Sequence, residues 1–224
     1  YLVNIAHRYE RRIYIFILPM ETDAYLTIKS SSEGLYREKG SRFISYAFPV
    51  TSQEDIKAHL ETIRKQHHAA RHHCYAWMLG SGRENFRAND DGEPSGSAGK
   101  PILGQINSFS LTNVLIVVVR YFGGKLLGVP GLINAYRTAA ESAIRNAEII
   151  RCVELEHFDI EFPYSSLNDV MKIIKDEDVD HENRKFEMVC SITVNVRPSE
   201  SERIKSLFSR IAGLKLLRAG EGRK

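Results

Sequence analysis

Val114–Val119 reads VLIVVV and has no polar position to turn toward water. Such a run predicts a strand buried on both faces. Segments of other period surround it. Ser41–Val50 (SRFISYAFPV) predicts a strand, and Thr51-Ser52-Gln53-Glu54 offers N-cap and capping-box chemistry. The helix that follows carries Ile56, Leu60 and Ile63 on one face and ends near His67. Arg71–Leu79 (RHHCYAWML) predicts a strand with alternate sets His72, Cys74, Ala76, Met78 and Arg71, His73, Tyr75, Trp77, Leu79. A turn at Gly80–Gly82 and a short strand around Asn85–Ala88 come next. Pro101 suits a first helical turn and starts a short helix over 102–107; Pro130 does the same for a long helix beginning near Leu132. The apolar stripe of that helix is Leu132, Ala135, Tyr136, Ala139, Ala143 and Ala147, small enough to bring it close to a sheet. Residues 21–40 are polar and read as a loop.

From Arg151 the pattern restarts. Val153–Phe162 predicts a strand, and Tyr164–Asp176 a helix. Val179–Asn183 and Phe186–Val196 predict two strands joined by a tight turn around Asn183–Lys185. Pro198–Ala212 predicts a helix and Leu214–Arg218 a last strand. The order βαββαβ is ferredoxin-like. The reading is therefore α+β in two domains, residues 21–150 and 151–224. Met20 is the expected start, and residues 1–20 are set aside as an upstream extension. Their apolar run Ile13–Leu18 is too short for a signal peptide core or a membrane span.

Charge adds one asymmetry. The net charge of the chain is +3. Residues 29–150 carry 15 Lys and Arg against 11 Asp and Glu, while residues 151–224 carry 13 against 14. An anionic partner would therefore meet the first domain. The three cysteines, Cys74, Cys152 and Cys190, are scattered and odd in number, as in a reducing, cytoplasmic setting.

Two loops could carry chemistry. Asp90–Pro101 (DDGEPSGSAGKP) ends in Gly99-Lys100 but is no P-loop: Pro94 stands where the first glycine belongs and Pro101 where Ser or Thr does. Its small residues, lysine and helix start are nonetheless the parts of an anion site. Gly123–Gly131, flanked by Arg120 and Lys125, is a second candidate, against turn geometry alone for either. No metal site is expected, because Asp90, Asp91 and Glu93 lack EF-hand spacing and His72 and His73 point to opposite faces of a strand. A Cys74–His72 couple is not excluded, although strand cysteines are mostly buried. Arg120, Tyr121, Phe122, Lys125, Tyr136 and Arg137 bring charge and rings together, as a nucleic-acid surface requires.

The stretches ARHHCYAWMLG, NDDGEPSGSAGKPIL and VVVRYFGGKLLGVPGLINAY together closely resemble the signatures of the YigZ/IMPACT family, and KGSRFISYAFPV its first strand. The resemblance implies a first domain with the fold shared by a small-subunit ribosomal protein domain and a domain of elongation factor G, and an elongation-factor-G-like ferredoxin tail. These are fold-level parallels that point toward RNA and translation. Eukaryotic members regulate a translation-initiation kinase and carry an extra RWD domain; the stretch before Ser41 is too short for one, so a bacterial, cytoplasmic protein is expected instead. The family implies no catalytic residues, cofactor or metal. The expected function is a non-catalytic regulator binding RNA, the ribosome or a translation-associated partner, with a protein partner also open and no membrane. Its anion or nucleic-acid contacts are Arg71, Lys100, Arg120, Tyr121, Lys125 and Arg137. The loops are organised by Asp90, Asp91, Glu93, Gly96, Gly99, Gly123 and Gly124. The alternatives are an enzyme acting on a phosphorylated metabolite or peptide in the same cleft, or a pure protein-interaction module.

Overall fold

The computed structural model describes residues 23–218; the expected start at Met20 and the extension before it lie outside them. In chain order the elements are β1 (Ala24–Ile28), β2 (Ser32–Glu38), β3 (Ser41–Pro49), α1 (Gln53–Gln66), β4 (His72–Leu79), β5 (Asn85–Asn89), α2 (Gly99–Ser108), β6 (Val114–Tyr121), α3 (Gly128–Asn146), β7 (Ile149–Val153), β8 (Glu156–Pro163), α4 (Leu167–Asp176), β9 (Asp180–Lys185), β10 (Val189–Val196), α5 (Pro198–Phe208) and β11 (Lys215–Arg218).

The VLIVVV run lies in β6, the centre of a five-stranded antiparallel sheet of order β2-β3-β6-β4-β5. Both faces of this sheet are covered, which is why β6 tolerates no alternation. On one face Phe43, Cys74, Ala76, Met78, Ile116 and Val118 pack with residues of α2 and α3. On the other, Tyr46, Tyr75, Trp77, Leu115 and Val117 pack with Ile56, Leu60 and Ile63 of α1. The two alternate sets of β4 go to these two cores, as period-two side-chain direction requires. The alanine stripe lets α3 approach closely: Ser45 Oγ donates to the Ala139 carbonyl at 2.6 Å and Ser32 Oγ to that of Ala143 at 2.8 Å. Helix α1 is capped by Ser52, whose hydroxyl accepts from the Asp55 amide while the Asp55 carboxylate accepts from the Ser52 amide.

Of the expected loop over 21–40, the described residues 23–40 are not a loop. They form β1 and β2, and their polarity reflects position: β2 is an edge strand with Glu33, Leu35 and Arg37 exposed, and Gly34 and Tyr36 turned inward. The expected strand Val153–Phe162 begins later, at Glu156, and a separate strand precedes it. β7 pairs with β1 from Ile149↔Ile28 to Val153↔Ala24, and β8 starts a separate sheet. That second sheet has the antiparallel order β11-β8-β10-β9, the 4-1-3-2 arrangement of a ferredoxin-like unit. Phe158, Ile160, Phe162, Ile192 and Val194 build its core with Val170 and Ile174 of α4 and Ile204 and Phe208 of α5. β9 runs through Lys185, so its hairpin turns at Phe186–Met188 rather than at Asn183–Lys185, and α5 stops at Phe208. The Asp23 carboxylate accepts from the Ser199 amide at 3.2 Å and so caps the first turn of α5 from the far end of the chain. No helix among the described residues is long and apolar enough to cross a membrane.

Candidate anion-binding site at one end of the sheet

Strand register gathers most of the candidate residues. Phe43 pairs with Arg120 and Arg120 with His72, while Arg37 pairs with Arg42 and Arg42 with Tyr121. The same end of the sheet therefore holds Arg71, the β2–β3 turn at Lys39-Gly40 and the segment after Tyr121. Gly123 is fixed there by contact: a Cβ on it would lie 1.9 Å from the Gly40 carbonyl carbon. The Gly123 amide donates to Ser41 Oγ at 3.1 Å, and Gly124 lies exposed just beyond.

The Asp90–Pro101 loop supplies its own anion. Asp90 Oδ1 accepts from the amides of Ala98 (3.0 Å) and Gly99 (2.8 Å), and Oδ2 from that of Gly96 (2.8 Å). The N-cap position of α2, Ala98, has no side-chain acceptor, so Asp90 serves as a remote cap and places its charge on the positive end of the helix. Burial works to raise the Asp90 carboxyl, but the three amides and nearby Lys100 outweigh it and hold it below the usual aspartate range. Gly99 is glycine because a Cβ would meet the Asn89 amide nitrogen at 2.5 Å. The amides of Gly96 and Gly99 are thus spent on Asp90 rather than presented to an external anion. Asp91 accepts from the His73 amide at 2.7 Å and lies 3.6 Å from Arg64 Nη2.

Glu93 and Arg120 also turn inward. Glu93 Oε1 accepts from Arg120 Nη1 at 2.6 Å and from the Tyr136 hydroxyl at 2.8 Å. Both partners of the ion pair are buried, Arg120 at 7% exposure. The Arg120 guanidinium is expected from the sequence to face an anion; it lies instead 5.5 Å from the Phe43 ring centroid and 5.6 Å from that of Phe122. β6 turns this side chain onto the α2–α3 face, where Glu93 is its counterion. Cys74 Sγ lies 3.3 Å from the Tyr136 hydroxyl and 2.9 Å from the Asp90 carbonyl oxygen. Burial pushes its thiol far above the ordinary range, with the Tyr136 hydrogen bond offsetting only part. A thiol held protonated in this way is no nucleophile.

Tyr121 is half-buried. Its hydroxyl is 2.9 Å from His67 Nδ1, its ring lies under Arg42 at 5.0 Å, and Tyr46 bonds the other His67 nitrogen at 2.8 Å. Burial, and then nearby His73, lower the His67 pKa, so the imidazole is neutral, accepting from one tyrosine and donating to the other. Arg71, Lys100 and Lys125 are exposed. Arg137 is exposed on α3, one residue beyond Tyr136, and donates to Oδ1 of Asn134, whose Nδ2 lies 3.5 Å from the Tyr36 hydroxyl of β2. Sequence reading missed Arg37, Lys39 and Arg42. All three are exposed, and Arg37 and Arg42 face each other across two strands. The signal of the two arginines was a charge interrupting each strand's alternation, which acquires meaning only once the register is known.

A three-layer α/β/α unit followed by a ferredoxin-like unit defines a two-domain α+β protein. The Impact N-terminal domain model matches residues 39–144, which include nearly all of this end of the sheet. The chain is 32% identical over 203 residues to an IMPACT family member of Haemophilus influenzae, covering 88% of this chain and 98% of that one. It is 37% identical over 138 residues to the IMPACT family member YigZ of Escherichia coli, covering 61% and 68%. A crystal structure of a hypothetical protein superposes with a TM-score of 0.66 at 30% identity, covering 89% of this chain and 98% of that one. The chain belongs to the IMPACT family.

Proposed function

We propose that this protein is a non-catalytic, translation-linked regulator that binds RNA, free or within the ribosome, through the basic end of its five-stranded sheet. One observation carries the reading: the acids of the Asp90–Pro101 loop are satisfied within the chain and Glu38 accepts from the Tyr36 hydroxyl at 3.1 Å, while the exposed bases at this end are not paired. Asp90 is held by three amides and Glu93 by Arg120 and Tyr136. Arg37, Lys39, Arg42, Arg71 and Lys125 are exposed and make no ion pair among the described residues. Arg37 directly opposes Arg42, a like-charge cross-strand pair that costs stability unless an anion lies between the two. Neutralising phosphates is the function such a surface suits, and the family resemblance supplies the link to translation. Two residues expected to touch the anion have other surroundings: Lys100 stands beside Asp90, and Arg120 acts by holding the loop.

The test is RNA binding by fluorescence anisotropy across a salt series. Tight binding that weakens steeply with salt is expected. Arg42→Ala and Lys125→Ala should each reduce the salt slope by about 1, since each removes one cation from a phosphate. Affinity unchanged in the double variant would refute the placement of the site, and absence of binding at low salt would refute the RNA reading.

A further inference from the structure

We propose that Phe122 is a stacking platform for an unpaired base, so that the RNA taken by this surface is single-stranded; the proposal rests on the RNA reading above. Phe122 is 57% exposed on the segment between β6 and α3. An aromatic ring gains nothing from water, and this one is not loose. The Arg120 guanidinium lies 5.6 Å from its centroid, within cation–π range, and Arg120 is itself held by Glu93 at 2.6 Å and backed by Phe43 at 5.5 Å. One face of the ring is therefore braced by a buried ion pair while the rest of the side chain faces solvent. The segment cannot slide inward, because Gly123 already touches Gly40.

The surroundings favour a nucleotide over a wholly apolar partner. Lys125 follows three residues later, and the Gly40 contact sets Lys39 alongside; both are exposed and make no ion pair among the described residues. A braced ring with flanking cations is the pairing that binds single strands, the ring taking a base face and the cations the phosphates on either side. A duplex has no free base face to offer. Leu126 and Val129, at 85% and 47% exposure, extend the apolar surface and can cover the edge of the same base. Of the other rings named from the sequence, Tyr136 is fully buried, and Tyr121 is a poorer platform because it is only partly exposed, its hydroxyl is tied to His67 and the exposed Arg42 lies over it.

The probes are a fluorescein-labelled oligouridine, its abasic counterpart with the same ribose–phosphate backbone, and the oligouridine–oligoadenosine duplex. Wild type is expected to bind the first more tightly than the other two. Phe122→Leu should lose about tenfold in affinity for the single strand while keeping the salt slope, because a base–ring contact and not a charge is removed. Phe122→Trp should keep the affinity, and its emission should be quenched by the oligouridine but not by the abasic strand, against the buried Trp77 as constant background. Salt-dependent binding that is indifferent to Phe122→Leu and to base removal would overturn the platform and leave the anion reading standing. If no RNA binds at low salt, both fall, and an acidic apolar peptide becomes the partner to test.

Discussion

Asp90→Asn removes one charge and one acceptor oxygen from the loop and changes little in volume. In the protein Asp90 receives three amide hydrogen bonds at 2.8–3.0 Å. Asparagine can keep its carbonyl toward Ala98 and Gly99, but both bonds lose their charge assistance, about 1 kcal/mol each. Its amide group then faces the Gly96 N–H, donor against donor, so the third bond is lost. Because the carboxylate is half-exposed, water recovers part of this, and the net cost is about 2–3 kcal/mol. Urea unfolding at neutral pH measures it. Amide exchange shows where it falls, at Gly96, Ala98 and Gly99.

The pH dependence gives a second check. The Asp90 pKa is lower in the folded than in the unfolded chain, so its contribution is fully present above the unfolded value of about 3.9 and is lost as pH falls through the folded one. The stability gap between wild type and Asp90→Asn should be flat from about pH 5 upward and close below about pH 4. A gap under about 0.5 kcal/mol at neutral pH, with exchange at those three amides unchanged, would refute the idea that the carboxylate is the anion of this loop.

Glu93→Ala should cost about 3–5 kcal/mol in thermal or urea unfolding, because it strands Arg120 as a buried charge; Glu93→Leu with Arg120→Met should recover most of that. A double variant as unstable as Glu93→Ala would show that the packing of the two side chains, not their charge, is what matters. Thiol titration with a disulfide reagent should label Cys152 alone in the native protein and all three cysteines in urea, since Cys74 and Cys190 are buried and Cys152 only partly so. Rapid native labelling of Cys74 would contradict its burial.

Elements that are periodic within themselves were legible in the sequence. The double burial of β6, the two faces of β4, the capped α1 and the alanine stripe of α3 each follow from local spacing. Strands β1, β2 and β7 were not. β2 looks polar because only one of its faces is covered, and β1 takes its meaning from β7, more than 120 residues later in the pairing. The site shows the same division. That the Asp90–Pro101 acids would organise the loop was readable from their neighbours. That the amides of the glycines would be filled by Asp90, and that Arg120 would be buried, required knowing which way each side chain leaves its strand. Arg37 and Arg42 become a pair only through the β2–β3 register.

Taken together, these contacts separate two uses of charge at one end of a sheet. The inward set, Asp90 on its amides and Glu93 with Arg120 and Tyr136, is withdrawn in part or wholly from water and directed by hydrogen bonds within the chain, so it is paid for in solvation and returns rigidity. The outward set, Arg37, Lys39, Arg42, Arg71 and Lys125, stays in water and returns no stability; Arg37 and Arg42 oppose each other at a cost. Rigid loops beneath unpaired bases reduce the ordering cost of association, which is where a surface of modest charge gains affinity. On this argument the inward acids matter to binding without touching the ligand. Asp90→Asn, which leaves every exposed base in place, should weaken RNA binding through the loss of loop order while leaving the salt slope unchanged.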